Sequence, residues 1–377
     1  MRPIYLHSVD MKVVVYELEQ YDPRLAQFHQ LEIELGQEVK SFLPRPQAQL
    51  EQSLFRAHYQ PEQQKILLAM IDDQVCARLV ARMNPTVRDE QGAPLGLIGY
   101  FAARETKDAA QLLFDVALEW FKQHGVQQVI GPVSSHFWYE SGVNLGPFKR
   151  RLFLFEPNNP RYYGDLWEDY GFHIFEDLNS YRVDDLPKLL AMLKIDYQHV
   201  LDHDYAFRPF RLSRFDDEIK LMQRLMQQAQ LHPHSIANAL TGGFIQRLPQ
   251  LKTYFDPQLA LFVMDDMQRE VGFIYSLADH LPTVQQTYTG SSLTKWWRTQ
   301  RAKRAVDVMN VGYVAIARSH QHRRLAKGLI YKMADQALLR DYQQLNFAMI
   351  PAGSPIENIC RHWSRLFRRY RLYTLWI

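Results

Sequence analysis

Four stretches carry residue types that can do chemistry. Residues 311–330, VGYVAIARSHQHRRLAKGLI, pass from an apolar run through a basic knot into a small-residue step that opens a helix pattern. Backbone N–H groups curled about a helix N-terminus, with arginines beside them, suit an anion; the plain alternative is a solvated basic turn. Residues 131–153, GPVSSHFWYESGVNLGPFKRRLF, join Gly and Pro punctuation to Trp138, Tyr139 and Glu140, the loop's only carboxylate. That composition fits a substrate-binding loop, with Trp138 and Tyr139 as contacts and Glu140 as an acid or base, or else a lid packed on a sheet. Residues 293–306, LTKWWRTQRAKRAV, surround Trp296 and Trp297 with Lys295, Arg298, Arg301, Lys303 and Arg304. They read as a helix with its tryptophans in the core, or as a surface for an anionic partner such as a ribose phosphate or RNA. HPH at 232–234 and HQH at 320–322 lack a third ligand at a fixed spacing, so neither reads as a metal site. The chain has no G-x-S-x-G elbow, phosphate-loop signature or G-x-G-x-x-G fingerprint.

The elements that must position these residues follow from length and patterning. At 377 residues and 47% hydrophobic content, two ordinary domains are expected. The longest apolar runs are far short of the ~20 residues of a membrane helix, and MRPIYLHSVDMK has no signal-peptide core. A soluble cytoplasmic protein is the expectation. Cys76 and Cys360 are too few for a disulfide framework and read as buried, reduced thiols. A net charge of +3 confines any anion site to a local patch.

An internal repeat organises the chain. IGYFAA at 98–103 answers VGYVAI at 311–316, so that Gly99 and Tyr100 recur as Gly312 and Tyr313, 213 residues later. The helical stripe Leu112, Leu113, Val116, Ala117, Trp120, Phe121 recurs at Leu329, Ile330, Met333, Ala334, Ala337, Leu338, now offset by 217. MIDD at 70–73 and VMDD at 263–266 mark two hairpins about Asp-rich turns. Each half thus reads strand, helix, hairpin, strand, helix, strand, helix, strand. The drift in offset gives the second half four extra residues between its Gly-Tyr strand and the next helix. RETKD makes that connection as a plain turn in the first half, whereas ARSHQHRRLAKG is long enough to wrap an anion.

This element order, with Arg323-x-x-Ala326-x-Gly328 in the second-half loop, resembles the GNAT superfamily of acyl-CoA-dependent N-acyltransferases, whose loop reads [Q/R]-x-x-G-x-[G/A]. Ala326 stands for the first glycine. A second register puts His322 at the basic position and Leu325 and Lys327 at the glycines. ENICRHWSRLF at 357–367 resembles the family's last helix and turn, which puts His362 where the family has a tyrosine, and NPRYYGDLWEDYGF at 159–172 is the first half's version, with Trp167 there. GPVSSHFWYES, FLFEPNNPRYY and YGF resemble a branch of tandem GNAT-like proteins with a long insertion in the first half.

The resemblance implies a mixed-sheet, three-layer α/β fold in two modules. Residues 1–185 form the first, with the insertion at 131–157 and no pyrophosphate loop; 186–204 form a linker, with Leu186, Leu189, Leu190 and Leu193 at helical spacing, and 205–377 the second module. It implies acetyl-CoA or another acyl-CoA as cofactor. Val314, Ala315 and Ile316 would supply amides to its pantetheine arm, residues Arg323, Arg324, Leu325, Ala326, Lys327 and Gly328 would hold its pyrophosphate, and Asn358 would lie nearby. His362 would sit beside the sulfur as a candidate acid or base. VGYVAIA has no acid of the kind many members carry on this strand. The acceptor would be a small-molecule or peptide amine, with no membrane partner. Two other readings are a non-catalytic tandem scaffold and a Fem-type transferase using aminoacyl-tRNA.

Overall fold

A computed structural model describes residues 4–7, 12–36, 46–55, 61–89, 91–136, 139–153, 156–229, 256–279 and 306–377. They fall into two compact units, Met1–Leu178 with Arg369–Ile377, and Asn179–Arg368. Trp138, the 232–234 histidines and nearly all of the 293–306 segment lie outside the described residues.

In the first unit, β1 (Ile4–His7) and β2 (Lys12–Glu17) precede helices α1 (Leu25–Gly36) and α2 (Gln47–Leu54) and the hairpin β3 (Gln64–Ile71)–β4 (Gln74–Arg88). Its turn residues Asp72 and Asp73 both have positive φ, 48° and 62°, as a two-residue turn matched to strand twist requires. Next come β5 (Pro94–Ala103), α3 (Lys107–Gln123) and β6 (Gln128–Gly131), with β6 parallel to β5. The insertion is strand-built: β7 (Val133–His136) and β8 (Tyr139–Ser141) make a hairpin, and β9 (Val143–Gly146) pairs with Arg369–Arg371. Helix α4 (Tyr163–Tyr170) leads into β10 (His173–Val183). The stripe read from the sequence buries Leu112, Leu113, Ala117, Trp120 and Phe121 in one core with Val15, Leu67, Leu79 and Trp167. At ~1.5–3 kcal/mol for each large apolar side chain, this packing fixes α3 on the sheet.

The second unit begins with the end of β10. Helix α5 (Leu186–Asp202) is capped by the Asp185 carboxylate, which accepts the Lys188 N–H at 2.9 Å. Leu186, Leu189, Leu193 and Val200 enter the unit's core. Residues 186–204 are therefore built into the second unit, and its limits differ from those expected at 185 and 205. Strand β11 (Ala206–Pro209), helix α6 (Phe215–Ala229), hairpin β12 (Ala260–Met264)–β13 (Glu270–Ala278), strand β14 (Val308–Ile316), helix α7 (Leu325–Leu338), strand β15 (Gln344–Pro351), helix α8 (Pro355–Cys360) and strand β16 (Arg365–Trp376) follow. The sheet order is β11-β12-β13-β14-β15-β10, and its β14–β15 pair is parallel, joined through α7. Each half thus keeps the element order expected. No described helix is long and apolar enough to cross a membrane.

The last strand belongs to both units by sequence: residues 365–368 lie in the second, while 369–377 complete the first. Tyr373 and Thr374 pair with Gly131 and Ile130 of β6, and Tyr373 is fully buried in the α3 core. A chain ended at Arg368 should therefore lose the first unit's cooperative transition, leaving β6 and Trp167 uncovered. Differential scanning calorimetry checks this, and an unchanged thermogram would refute it.

Candidate functional site

The site is built where two strands of the second unit part. The parallel register of β14 and β15 runs from Val308↔Gln344 to Val311↔Phe347 and stops there. Beyond it β14 keeps β13 alone, through a bulge at Gly312 that steps the register from Ser276↔Val311 to Tyr275↔Tyr313. A Cβ at Gly312 would stand 3.1 Å from the Tyr275 ring, so a larger residue here would press on that ring. Ala317 N–H donates to Val271 O at 2.8 Å, which sets the alternation of the ladder. That alternation commits the Ala315 amide to β13 and turns the N–H and C=O groups of Val314 and Ile316 toward the open edge. Of the three amides expected to serve a pantetheine arm, Ala315 is thus corrected to a ladder residue. Gln321 Nε2 donates to Ile316 O at 3.2 Å; among the described residues no bond is seen to the N–H of Val314 or Ile316.

The loop after β14 is pinned through its side chains. Gln321 Nε2 also donates to Ala229 O at 2.8 Å, and Arg323 Nη1 donates to the Tyr205 hydroxyl at 2.8 Å. Arg324 and Lys327 both meet Asp196 of α5, at 3.2 and 3.0 Å. His322 and Arg324 hold left-handed φ values of 66° and 62°, a conformation that costs roughly 1–2 kcal/mol per non-glycine residue. The chain enters α7 at Leu325 with Arg324 as an N-cap that supplies no side-chain acceptor. Leu325 is buried in the core, and Ala326 lies in the helical first turn, where the backbone has no need of glycine. Gly328 is a packing residue: a Cβ there would be 3.1 Å from Val200 and 3.2 Å from Phe207, so it sets how closely α7 approaches α5. His320 lies 3.9 Å from Asp265; burial, with the Arg323 charge, holds its imidazole below the usual histidine value.

The first unit repeats the fork and fills it. β5 and β6 pair only from Leu95↔Gln128 to Leu97↔Ile130. Arg104 N–H donates to Cys76 O at 2.8 Å, so Ala103, like Ile316 at the repeat's offset, turns its backbone groups to the open edge. Here Tyr163 Oη accepts the Ala103 N–H at 2.9 Å, Tyr162 Oη donates to Ala103 O at 2.8 Å, and Ser134 Oγ accepts the Tyr100 N–H at 3.0 Å. Trp167 closes the floor, with a Cβ at Gly131 placed 2.4 Å from its ring. Only the three residues Arg104–Thr106 join β5 to α3.

At α8 the expected residues and the built ones differ. The helix ends at Cys360, whose carbonyl accepts from Ser364 Oγ at 2.7 Å, and the aromatic run from Arg365 onward takes the β pattern. His362 is exposed in the intervening turn and Asn358 is exposed on the helix. Glu357, which the sequence reading missed, is only 4% exposed. Its carboxylate accepts from the Tyr181 hydroxyl, Asn179 Nδ2 and Gly353 N–H, each at 2.6 Å, while Ser354 Oγ accepts the Glu357 N–H at 3.3 Å. The pattern Ser354-x-x-Glu357 was its signal, a helix-start signature in which the Glu357 carboxylate reaches back to the N–H of Gly353, one residue before the N-cap. Burial would raise this carboxyl, but the donors and Arg361 outweigh burial and hold it below the usual glutamate value. Tyr139 and Glu140 lie on β8, with their side chains outside the described residues.

No family model matches the chain. A bacterial ceramide synthase of Caulobacter vibrioides is 21% identical over 199 residues, 52% of this chain and 52% of that protein, so the match spans about half of each. Among solved structures, the GCN5-related glucosamine N-acetyltransferase region of a fungal multi-domain GH3 β-N-acetylglucosaminidase superposes with a TM-score of 0.58 at 13% identity. It covers 97% of this chain and 38% of that one. A tandem GNAT protein from the clavulanic acid biosynthesis pathway gives 0.52 at 12% identity, covering 97% and 98%. The chain has the mixed α/β, tandem GNAT-like fold.

Glu357→Gln turns an amide donor toward the Gly353 N–H, and a buried donor left without its acceptor costs roughly 1–3 kcal/mol. Because the folded carboxyl titrates below its unfolded value, its contribution is full above the ordinary glutamate pKa and fades as pH falls through the folded one. The variant should therefore melt below the parent at pH 7, with the gap narrowing under pH 4. Thermal melts across pH check this; a gap that widens in acid would refute it.

Proposed function

We propose that the chain is an acyl-CoA-dependent N-acyltransferase with its coenzyme site in the second unit, at the β14–β15 fork and the 318–328 loop. One observation carries this: the same fork occurs twice, filled by Ser134, Tyr162 and Tyr163 in the first unit and left with strand amides facing its open edge in the second. A pantetheine arm carries amides that pair with such an edge as an added strand would. The uncapped first turn of α7 suits the diphosphate.

The thioester arrives activated, so the protein's task is to align an amine with the acyl carbonyl, meet the developing oxyanion with N–H donors and let a proton leave. β14 carries no carboxylate, so the proton leaves through water or the amine arrives neutral. The relative named a ceramide synthase suggests the first amine to try, a long-chain amino alcohol, ceramides being N-acyl derivatives of such amines. Small and peptide amines complete the panel, and a cytoplasmic setting follows from the use of acyl-CoA. The scaffold reading draws support from Asp196, which already neutralises Arg324 and Lys327.

Calorimetric titration with acetyl-CoA and longer acyl-CoAs separates the two readings. One site per chain is expected, lost in Arg324→Glu with Ala326→Asp, which adds charge and bulk where the diphosphate would lie. Asp196→Asn frees two cations and should tighten binding several-fold at low salt. Two sites per chain, or undiminished affinity in the double variant, would refute the proposal, and absence of binding would favour the scaffold.

A further inference from the structure

On the face of β14 turned away from the α5–α7 core, two asparagines meet directly across the parallel pair, Asn310 opposite Asn346, one row before the fork. Arg182 Nε donates to Asn346 Oδ1 at 2.9 Å, and Asn346 Nδ2 donates to Asn310 Oδ1 at 2.8 Å. The line has one polarity. An arginine only donates, so it fixes which end of the Asn346 amide faces it, and Asn346 in turn fixes Asn310. Asn310 Nδ2 is left at the far end, buried, with no partner among the described residues. Asn310 is 5% exposed and Asn346 is fully buried.

Structural roles explain Arg182, Asn346 and the Oδ1 of Asn310, and leave the Asn310 Nδ2 donor. Arg182 also stacks on the Phe367 ring at 4.2 Å, and Asn346 has a partner on each side. An acceptor oxygen at position 310 closes the network, since Asn346 Nδ2 donates to Asn310 Oδ1; the Nδ2 donor beyond it is not needed for that and, with no acceptor among the described residues, is a buried cost. The donor lies on the strand that offers the Val314 and Ile316 amides, about 13 Å along it from the first and about 20 Å from the second at the strand rise.

We propose that Asn310 Nδ2 is a hydrogen-bond donor to the acyl acceptor, held in that orientation by Arg182 and Asn346, and that the acceptor is an amine carrying a hydroxyl or carbonyl oxygen near its nitrogen. The proposal rests on the acyltransferase reading for its setting and narrows the acceptor class. An ammonium cannot take the position, since it has only donors to offer; an acceptor oxygen satisfies Nδ2 and anchors the amine from one side. A site that bonds a substrate oxygen strongly rejects the analogue lacking it, because its own polar group is then left buried and unmet.

The test uses the full chain, one acyl-CoA and two matched amines, a 2-amino-1-alkanol and the 2-aminoalkane that lacks only the hydroxyl. The parent should prefer the amino alcohol in kcat/KM by about tenfold or more. Asn310→Ala should bring the ratio to within about threefold of unity, mainly through KM for the amine, with acyl-CoA affinity unchanged. Asn346→Asp keeps an acceptor for Arg182 but removes the donor that orients Asn310, so it should lower the same ratio while Asn310 remains. A parent without preference, or an Asn310→Ala variant that keeps it, overturns the proposal even where acyl transfer proceeds and the acyltransferase reading stands. If neither amine turns over, calorimetric titration of the two amines reads the same ratio in Kd. Equal affinities or no binding overturn the role of Asn310, and binding of acyl-CoA decides the acyltransferase reading separately.

Discussion

Two strands that run parallel and then part leave backbone N–H and C=O groups with no ladder to join. Buried groups of this kind must find partners, in the protein or in something it binds. That requirement separates the halves of this chain. In the first, Tyr163, Tyr162 and Ser134 meet the edge groups of β5, and the fork becomes core. In the second, the edge of β14 is met in part by Gln321, and the rest faces outward. One fold thus gives a closed unit, its strand edge met by three hydroxyl groups with β7 and Trp167 packed beside them, and an open one.

The surroundings follow from that difference. The closed fork supports aromatic packing: Trp167 lies 5.0 Å from Phe114 and 4.7 Å from Phe172, with Tyr373 stacked at 5.8 Å. The open fork is flanked by a loop whose cations are held by Tyr205 and Asp196. On the proposed reading its backbone, more than its side chains, is what the coenzyme would meet. On the other face the Arg182–Asn346–Asn310 line brings a directed donor to the row before the strands part.

Much of the framework was legible because it is local. The Gly-Tyr repeat marked β5 and β14, the two apolar stripes marked α3 and α7, and Asp72–Asp73 marked a turn that needs positive φ. The four-residue drift located the longer loop. What stayed hidden depends on contacts distant in sequence. Tyr162 and Tyr163 lie about 60 residues from the strand they plug, and Asp196 sits in a segment read as a linker. Residues 369–377 complete the unit that begins the chain, which no periodicity reveals. Gly328 matched a loop pattern yet serves helix packing, and His362 matched a motif position yet lies in an exposed turn.

Amide hydrogen exchange with and without saturating acyl-CoA tests the asymmetry of the forks most directly. On ligand addition the amides of Val314 and Ile316 should slow by about tenfold or more, while those of Tyr100 and Ala103, already bonded to Ser134 and Tyr163, should be slow throughout and unchanged. New protection at Tyr100 and Ala103, or none at Val314 and Ile316 under conditions where acyl-CoA is bound, would contradict the account.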